Sequence, residues 1–186
     1  MKIGLCGLGT VGSSVVNILA ANGGIINQRA AVPVELIHVG ARRDNPVCDT
    51  GNARLSRDIF AVIEDPDVEV VVELIGGTDI AKDLVLKAIA NGKHIVTANK
   101  ALIAEHGDEI LQLAAKQGVQ VRFEAAVAGG IPVIGALTEG LGANNIQQIA
   151  GIINGTGNYI LTEMSDYGRD YNEALADAQR LGYAEA

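Results

Sequence analysis

The sequence has no tryptophan, two phenylalanines and only 3% aromatic residues, so it offers few flat rings on which nucleic-acid bases could stack. Basic residues are the minority charge. Fourteen Lys and Arg stand against 22 Asp and Glu, a formal net charge of −8, and no basic stripe is available to neutralise phosphates. Both absences exclude a nucleic-acid partner. No apolar run approaches the roughly 18 residues that a spanning helix needs, which excludes a membrane partner of that kind. Cysteine is scarce: Cys6 lies in an apolar stretch and Cys48 in a polar one, with no Cys-x-x-Cys pair or Cys/His cluster, so both read as reduced thiols. Met1 leads directly into a strand-like run without a basic, apolar and small-residue leader, which makes the cytoplasm the expected location.

What is present is the composition of a folded globular protein, 48% hydrophobic and 19% charged over 186 residues, enough for one full domain and an appendage. Residues 2–12, KIGLCGLGTVG, organise the rest. A short apolar run enters Gly7-x-Gly9-x-x-Gly12, and a helical pattern of Val15, Val16, Ile18 and Leu19 follows. In such a strand, turn and helix, Gly7 allows a sharp turn, Gly9 lets backbone approach a pyrophosphate, and Gly12 lets helix pack on strand. The helix N-terminus adds unpaired N–H groups and partial positive charge. The alternative is a purely structural glycine turn.

Asn22-Gly23-Gly24 is expected to end the first helix. Val34, Leu36, Ile37 and Val39 predict a second strand, with His38 as a structural histidine inside it. It runs out at Gly40-Ala41-Arg42-Arg43-Asp44. A residue closing this strand meets the adenosine ribose, where a carboxylate suits NAD and an arginine suits the 2′-phosphate of NADP. Arg42 and Arg43 precede Asp44, so NADP is the expected cofactor, with NAD possible and a solvated basic pair as the alternative. Residues 45–57 show no strong pattern, and a short helix capped by Asp58 follows.

The run Val68, Val70, Val71, Val72, Leu74, Ile75 reads as a strand buried on both faces of a parallel sheet. It closes on Gly76-Gly77, where a close backbone approach to the cofactor and a bare turn account for the glycines about equally. A helix over 79–90 and a strand over 94–97 deliver Asn99-Lys100 to the strand's carboxyl end, from which the Lys100 ammonium could reach the nicotinamide crevice. His94 sits at the opposite edge and His106 reads as solvated. A helix ending at Gln117, a strand through Val119, Val121 and Phe123, and a glycine-rich loop into a helix at Pro132 complete the alternation. The fold class is α/β, a doubly wound parallel (Rossmann) sheet over residues 1–130. Residues 131–186 read as the beginning of a second α+β substrate and dimerisation domain. It would have one strand over 146–153 and two helices, the first entered from Asn154-Gly155-Thr156-Gly157-Asn158 and the second capped by Asp170.

In combination, GLGTVG (7–12), ELIGG (73–77), VTANKALIAEHG (96–107), FEAAVAGGIP (123–132), NGTGNYIL (154–161) and LGYAEA (181–186) resemble the homoserine dehydrogenases over the whole chain. The resemblance implies an oxidoreductase that interconverts L-homoserine and L-aspartate 4-semialdehyde with NAD(P)(H), on the route to threonine and methionine. It implies cofactor contacts from Gly9, Thr10, Val11 and Gly182, and a catalytic Lys100 between nicotinamide and substrate. It also implies a monovalent cation, usually sodium, on the main-chain carbonyls of Glu124, Val127, Gly129 and Ile131, and a Glu185 carboxylate on the substrate amino group. Sugar-type oxidoreductases of this fold carry Glu-Lys-Pro where this chain has Asn99-Lys100-Ala101.

Gly157 departs from the family's usual threonine. In the family LGYAEA leads on to a substrate-binding aspartate and a second lysine, and neither is among these 186 residues. The expectation is therefore cofactor binding with weak or no turnover, and a nucleotide-binding regulatory module without catalysis is the rival reading. An unpaired strand over 146–153 points to a homo-oligomer or a longer protein.

Overall fold

The computed structural model describes residues 1–152 and 154–184. Two compact units are present, Met1–Gly140 and Leu141–Ala186. Residues 131–140, which the sequence reading assigns to the second domain, fall in the first unit.

In the first unit, β1 (Lys2–Cys6), α1 (Thr10–Ala30), β2 (Glu35–Gly40), β3 (Arg54–Ser56), α2 (Phe60–Glu64), β4 (Val70–Glu73), α3 (Asp79–Ala90), β5 (His94–Thr97), α4 (Lys100–Gln117) and β6 (Val121–Arg122) follow one another. All strand pairs are parallel, in the order β3-β2-β1-β4-β5-β6. This is the expected Rossmann-like sheet flanked by helices. The two-residue period of the strands sorts the core into two layers. Ile3, Leu5, Val70 and Val72 pack with Val16 of α1, whereas Cys6, Val71 and Ile95 pack with α2, α3 and α4. In α3 the buried residues are Ala81, Leu84, Val85, Ala88 and Ile89, the three-and-four spacing of one helical face. Burying a side chain such as Leu84 contributes about 1.5–3 kcal/mol.

Three local expectations fail. First, α1 runs on through Gly23 and Gly24, neither of which takes a positive φ, and ends where Ala31 turns left-handed at φ 57°. Each glycine costs roughly 1 kcal/mol against alanine. A long helix already nucleated outweighs that, and Asn27 secures its far end by accepting from the Val34 N–H at 2.8 Å. Second, residues 45–57 contain the edge strand β3. Its residues carry little hydrophobic pattern because tertiary pins hold it. His38, 1% exposed, bonds Ser56 Oγ through Nε2 at 2.7 Å and Asp65 Oδ2 through Nδ1 at 2.9 Å, and Arg54 Nη1 reaches the same Asp65 oxygen at 3.1 Å. Third, described residues 146–152 form no strand; Ile146, Ile149 and Ile152 are exposed. A strand needs a neighbour to take its N–H and C=O groups, and no strand forms among the described residues of the second unit.

That unit consists of α6 (Gly155–Tyr167) and α7 (Tyr171–Arg180), α5 (Val133–Gly135) being a short turn of the first unit continued by the π-helical Ala136–Gly140. Asn154 caps α6 by accepting from the Gly157 N–H, and Asp170 caps α7 by accepting from the Asn172 N–H. Ile160, Ala174 and Ala178 make its small core, and Arg169 bridges Glu163 and Asp177.

Burial alone would raise the Asp65 carboxyl, but the Asp67 N–H, His38 and Arg54 outweigh it and hold its pKa below the ordinary 3.8. A depressed carboxylate stabilises the fold above its unfolded value, and that contribution disappears as pH falls through the folded value. Urea unfolding from about pH 5 down to about pH 2 should therefore lose stability more steeply in the unsubstituted protein than in Asp65→Asn. Equal slopes would show that Asp65 is not linked to folding.

Candidate functional site

The carboxyl ends of β1, β2 and β4 converge on a cavity of about 830 Å³. Its walls come from the glycine turn (Gly7, Leu8, Gly9), the β2 end (residues 40–46), residues 57–60, and residues 74–76 with Ile80. Gly7 stands at φ +105°, and a Cβ there would lie 2.5 Å from the Leu74 carbonyl oxygen. A Cβ on Gly12 would lie 2.0 Å from the Gly7 carbonyl oxygen. Both glycines are demanded by the fold itself. Gly9 differs: its φ is −78°, which any residue adopts, and no protein atom lies within 4 Å of a Cβ built there. Gly9 lines the cavity and the space beside it is open, so a ligand could approach its backbone closely.

Gly9 is also the N-cap of α1, with no side-chain cap and no acidic residue in the first turn. The N–H groups of Thr10, Val11 and Gly12 have no intrahelical acceptor, and together with the helix dipole they suit an anion. Across the cavity stand Arg42 and Arg43, neither with an ion pair among the described residues. The carboxylate beside them is already engaged: Asp44 Oδ1 accepts from Arg57 Nη2 at 2.7 Å, while Arg57 Nη1 donates to the Ala41 carbonyl at 3.3 Å. Two free guanidinium groups and a neutralised acid fit a phosphate better than a bare ribose hydroxyl. Asn45 Nδ2 donates to the Leu8 carbonyl at 3.2 Å and ties this arm to the glycine turn. Arg57 and Asn45 were not singled out from the sequence. Arg57 follows the unforeseen β3, and nothing in its local pattern indicates a cavity.

Gly76 lines the cavity at φ +72°. Lys100 does not; it is exposed and opens α4, just past β5, with Asn99 as cap. The two regions are joined by Asn99 Nδ2, which donates to the Gly77 carbonyl at 2.6 Å. The Cys6 thiol beneath the glycine turn is pushed up to about 12, by burial first and by the neighbouring Glu73 second, and is no nucleophile at neutral pH.

The loop expected to hold a cation is a compact turn. The Glu124 side chain accepts from the Ile134 and Gly135 N–H groups at 2.9 and 2.7 Å. The Glu124 and Ile131 carbonyls already accept from Val127 and Val133 at 3.2 and 2.8 Å, each with a second lone pair to spare. Such neutral oxygens suit a hard monovalent ion, and no group of three His, Cys, Asp or Glu converges among the described residues. Gly182 ends α7 in the second unit at φ +79°, and Glu185 lies outside the described residues.

The family model for the homoserine dehydrogenase NAD-binding domain matches residues 7–124, and that for homoserine dehydrogenase matches residues 132–186. The chain is 59% identical to homoserine dehydrogenase from Pseudomonas aeruginosa and 52% identical to that of Neisseria gonorrhoeae, in each case over 100% of this chain and 43% of the relative. The crystal structure of a homoserine dehydrogenase from Thiobacillus denitrificans superposes with a TM-score of 0.90 at 50% identity, covering 100% of this chain and 43% of that one. A hyperthermophilic archaeal homoserine dehydrogenase in complex with NADPH superposes at 0.78 with 26% identity, covering 99% of this chain and 62% of that one. The chain thus spans about 43% of the length of the curated relatives it matches. No described helix is long and apolar enough to cross a membrane.

The glycine geometry is separable by mutation. Thermal unfolding of Gly12→Ala should show a clear loss, of the order of 1–3 kcal/mol, because backbone must move. Gly9→Ala should stay within about 1 kcal/mol of the unsubstituted protein, since Ala is only a poorer N-cap than Gly. Equal losses would refute the distinction.

Proposed function

The chain belongs to the homoserine dehydrogenase family, and from that premise we propose that it binds NADP(H) and carries the hydride-transfer half of an L-homoserine/L-aspartate 4-semialdehyde oxidoreductase. The observation that carries the reading is a cavity bounded by Gly9 and the α1 N-terminus on one side and, on the other, by Arg42 and Arg43, which have no ion pair among the described residues. Bound NADPH supplies the hydride. The chain's own groups bind and orient. Gly7 makes the sharp turn, Gly9 lets backbone approach the pyrophosphate, the first-turn N–H groups of Thr10, Val11 and Gly12 take its charge, and Arg42 or Arg43 takes the 2′-phosphate.

Gly76 offers backbone to the cofactor from the end of β4. Lys100, with no ion pair of its own among the described residues, donates to the substrate carbonyl oxygen as negative charge grows there, an interaction stronger in the transition state than in the ground state. The Glu185 carboxylate suits the substrate ammonium and Gly182 a cofactor contact, both by family likeness. Sodium on the carbonyls of Glu124, Val127, Gly129 and Ile131 would brace the loop after β6. We further assign the protein to threonine and methionine biosynthesis in the cytoplasm, as a homo-oligomer, with cofactor domain 1–130 and substrate domain 131–186.

Nucleotide titration tests the cavity. Saturation to about one hundred times Kd should stabilise the fold by roughly 2.7 kcal/mol, raising Tm by about 5–10 °C. Replacing Arg42 and Arg43 together by Ala should weaken NADPH at least tenfold and leave NADH nearly unchanged, as each charge-assisted contact is worth about 1.5–3 kcal/mol. An unsubstituted protein that prefers NADH would overturn the NADP assignment. In homoserine oxidation assayed with this chain carried in a full-length homoserine dehydrogenase, Lys100→Ala should lower kcat about 10²- to 10³-fold, and undiminished turnover would remove Lys100 from the chemistry.

A further inference from the structure

Glu73 is a carboxyl in the middle of the molecule, 0% exposed, at the carboxyl end of the central strand β4. None of the steps above uses it. A buried acid is retained only with partners, and its partners share a direction. Its Oε1 accepts from the Ile75 N–H at 2.8 Å, and its Oε2 accepts from the Thr97 hydroxyl at 2.6 Å. Thr97, 1% exposed, is the last residue of β5 and lies opposite Glu73 in the parallel register. The Thr97 oxygen in turn accepts from the Asn99 N–H at 3.0 Å.

From Asn99 the connection divides. Its Oδ1 accepts from the Leu102 N–H at 3.1 Å and caps α4, while its Nδ2 donates to Gly77. The result is a closed loop of hydrogen bonds from β4 to β5, into the first turn of α4, and back to the residues that follow β4. Two backbone features relevant to the site sit on it, Gly76 on one arm and Lys100 on the other. Neither strand ladder nor helix capping requires this acid. β4 and β5 pair through backbone along their whole length, and Asn99 alone caps α4.

We propose that Glu73 and Thr97 are positioning residues, which act through Asn99 to lock the cavity-lining loop after β4 to the N-terminus of α4 and so set Lys100 against the bound nucleotide. The proposal rests on the reading of Lys100 and the cavity given above. Polarity runs one way through the relay: each donor in turn is committed, so the Thr97 hydroxyl cannot rotate without orphaning a buried group. The loop after β4 is rich in left-handed glycine, with Gly76 and Gly77 both at φ +72°, and has little local preference to hold it otherwise.

Thr97→Val preserves β-branched shape and strand propensity and removes only the hydroxyl, so the fold should survive. Thr97→Ser restores the hydroxyl. Native-state hydrogen exchange at the Ile75, Asn99 and Leu102 amides should be about tenfold or more faster in Thr97→Val, with the amides of β1 and the centre of α3 unchanged, since one lost hydrogen bond is worth about that factor. NADPH should bind about threefold or more weakly in the same variant. Both effects should be reversed in Thr97→Ser. Exchange that rises uniformly over the sheet, or NADPH affinity unchanged beside loosened amides, would overturn the proposal by reducing the relay to a fold support. Homoserine oxidation measured alongside separates the two readings. A protein that loosens selectively and loses NADPH affinity, while homoserine oxidation is absent even with this chain carried in a full-length homoserine dehydrogenase, upholds the relay and counts against the functional assignment.

Discussion

The first unit depends on one crowded point, where the chain leaves β1. The Gly7 N–H donates to the Gly40 carbonyl at 2.8 Å and the Leu74 N–H donates to the Cys6 carbonyl at 2.8 Å, so the ends of β2 and β4 are both fastened to the turn. Within that space α1 must begin at once, and only hydrogen fits at Gly7 and Gly12. Because three strands and a helix start or stop within a few ångströms, the cavity they leave is bordered by backbone rather than long side chains. Backbone of this kind is pre-organised: its N–H groups are aimed before any ligand arrives.

Charge is arranged against the bulk of the protein. The chain is acidic overall, with a formal net charge of −8, yet the cavity carries Arg42, Arg43 and Arg57 with Asp44 and Asp58 among its lining residues. Arg57 is turned to Asp44, which removes the local acid from competition, and the other two guanidinium groups keep their full field. An acidic surface around a basic recess repels anions over most of the molecule and attracts them at that one place.

How much of this was legible depended on whether a segment is held by its own pattern or by distant contacts. The helix Asp79–Ala90 and strand His94–Thr97 were readable to the residue, because periodic burial and glycine punctuation agree there. Strand β3 was not, since Ser56 and Arg54 are ordered by His38 and Asp65, which are 18 and 11 residues away. The continuation of α1 through Gly23-Gly24 failed for the opposite reason: local breaking residues were overridden by helix length. In the site, Gly7, Gly9, Gly76, Arg42 and Arg43 were named from motif and strand-end position, and all five line one cavity. Arg57 had no motif of its own, and Glu73 entered only as the first residue of ELIGG, with no role attached. A lone acid within an apolar run, Glu73, carries no signal of its partners until the register sets it beside Thr97.

The strand order explains why such scattered residues meet. Chain direction across the sheet reverses at β1, with β2 and β3 to one side and β4, β5 and β6 to the other. Connections on the two sides diverge, and a crevice opens between the first turn of α1 and the loops after β2 and β4. The residues after β2 can vary in charge without disturbing the fold, because Arg42 and Arg43 are exposed and bear no core contact. Those after β4 and β5 cannot vary so freely, because Glu73 and Thr97 lie in the core and are bonded to each other. The charged groups beside the cavity are thus carried on a permissive edge, while the polar groups bonded across β4 and β5 are anchored to the centre of the sheet.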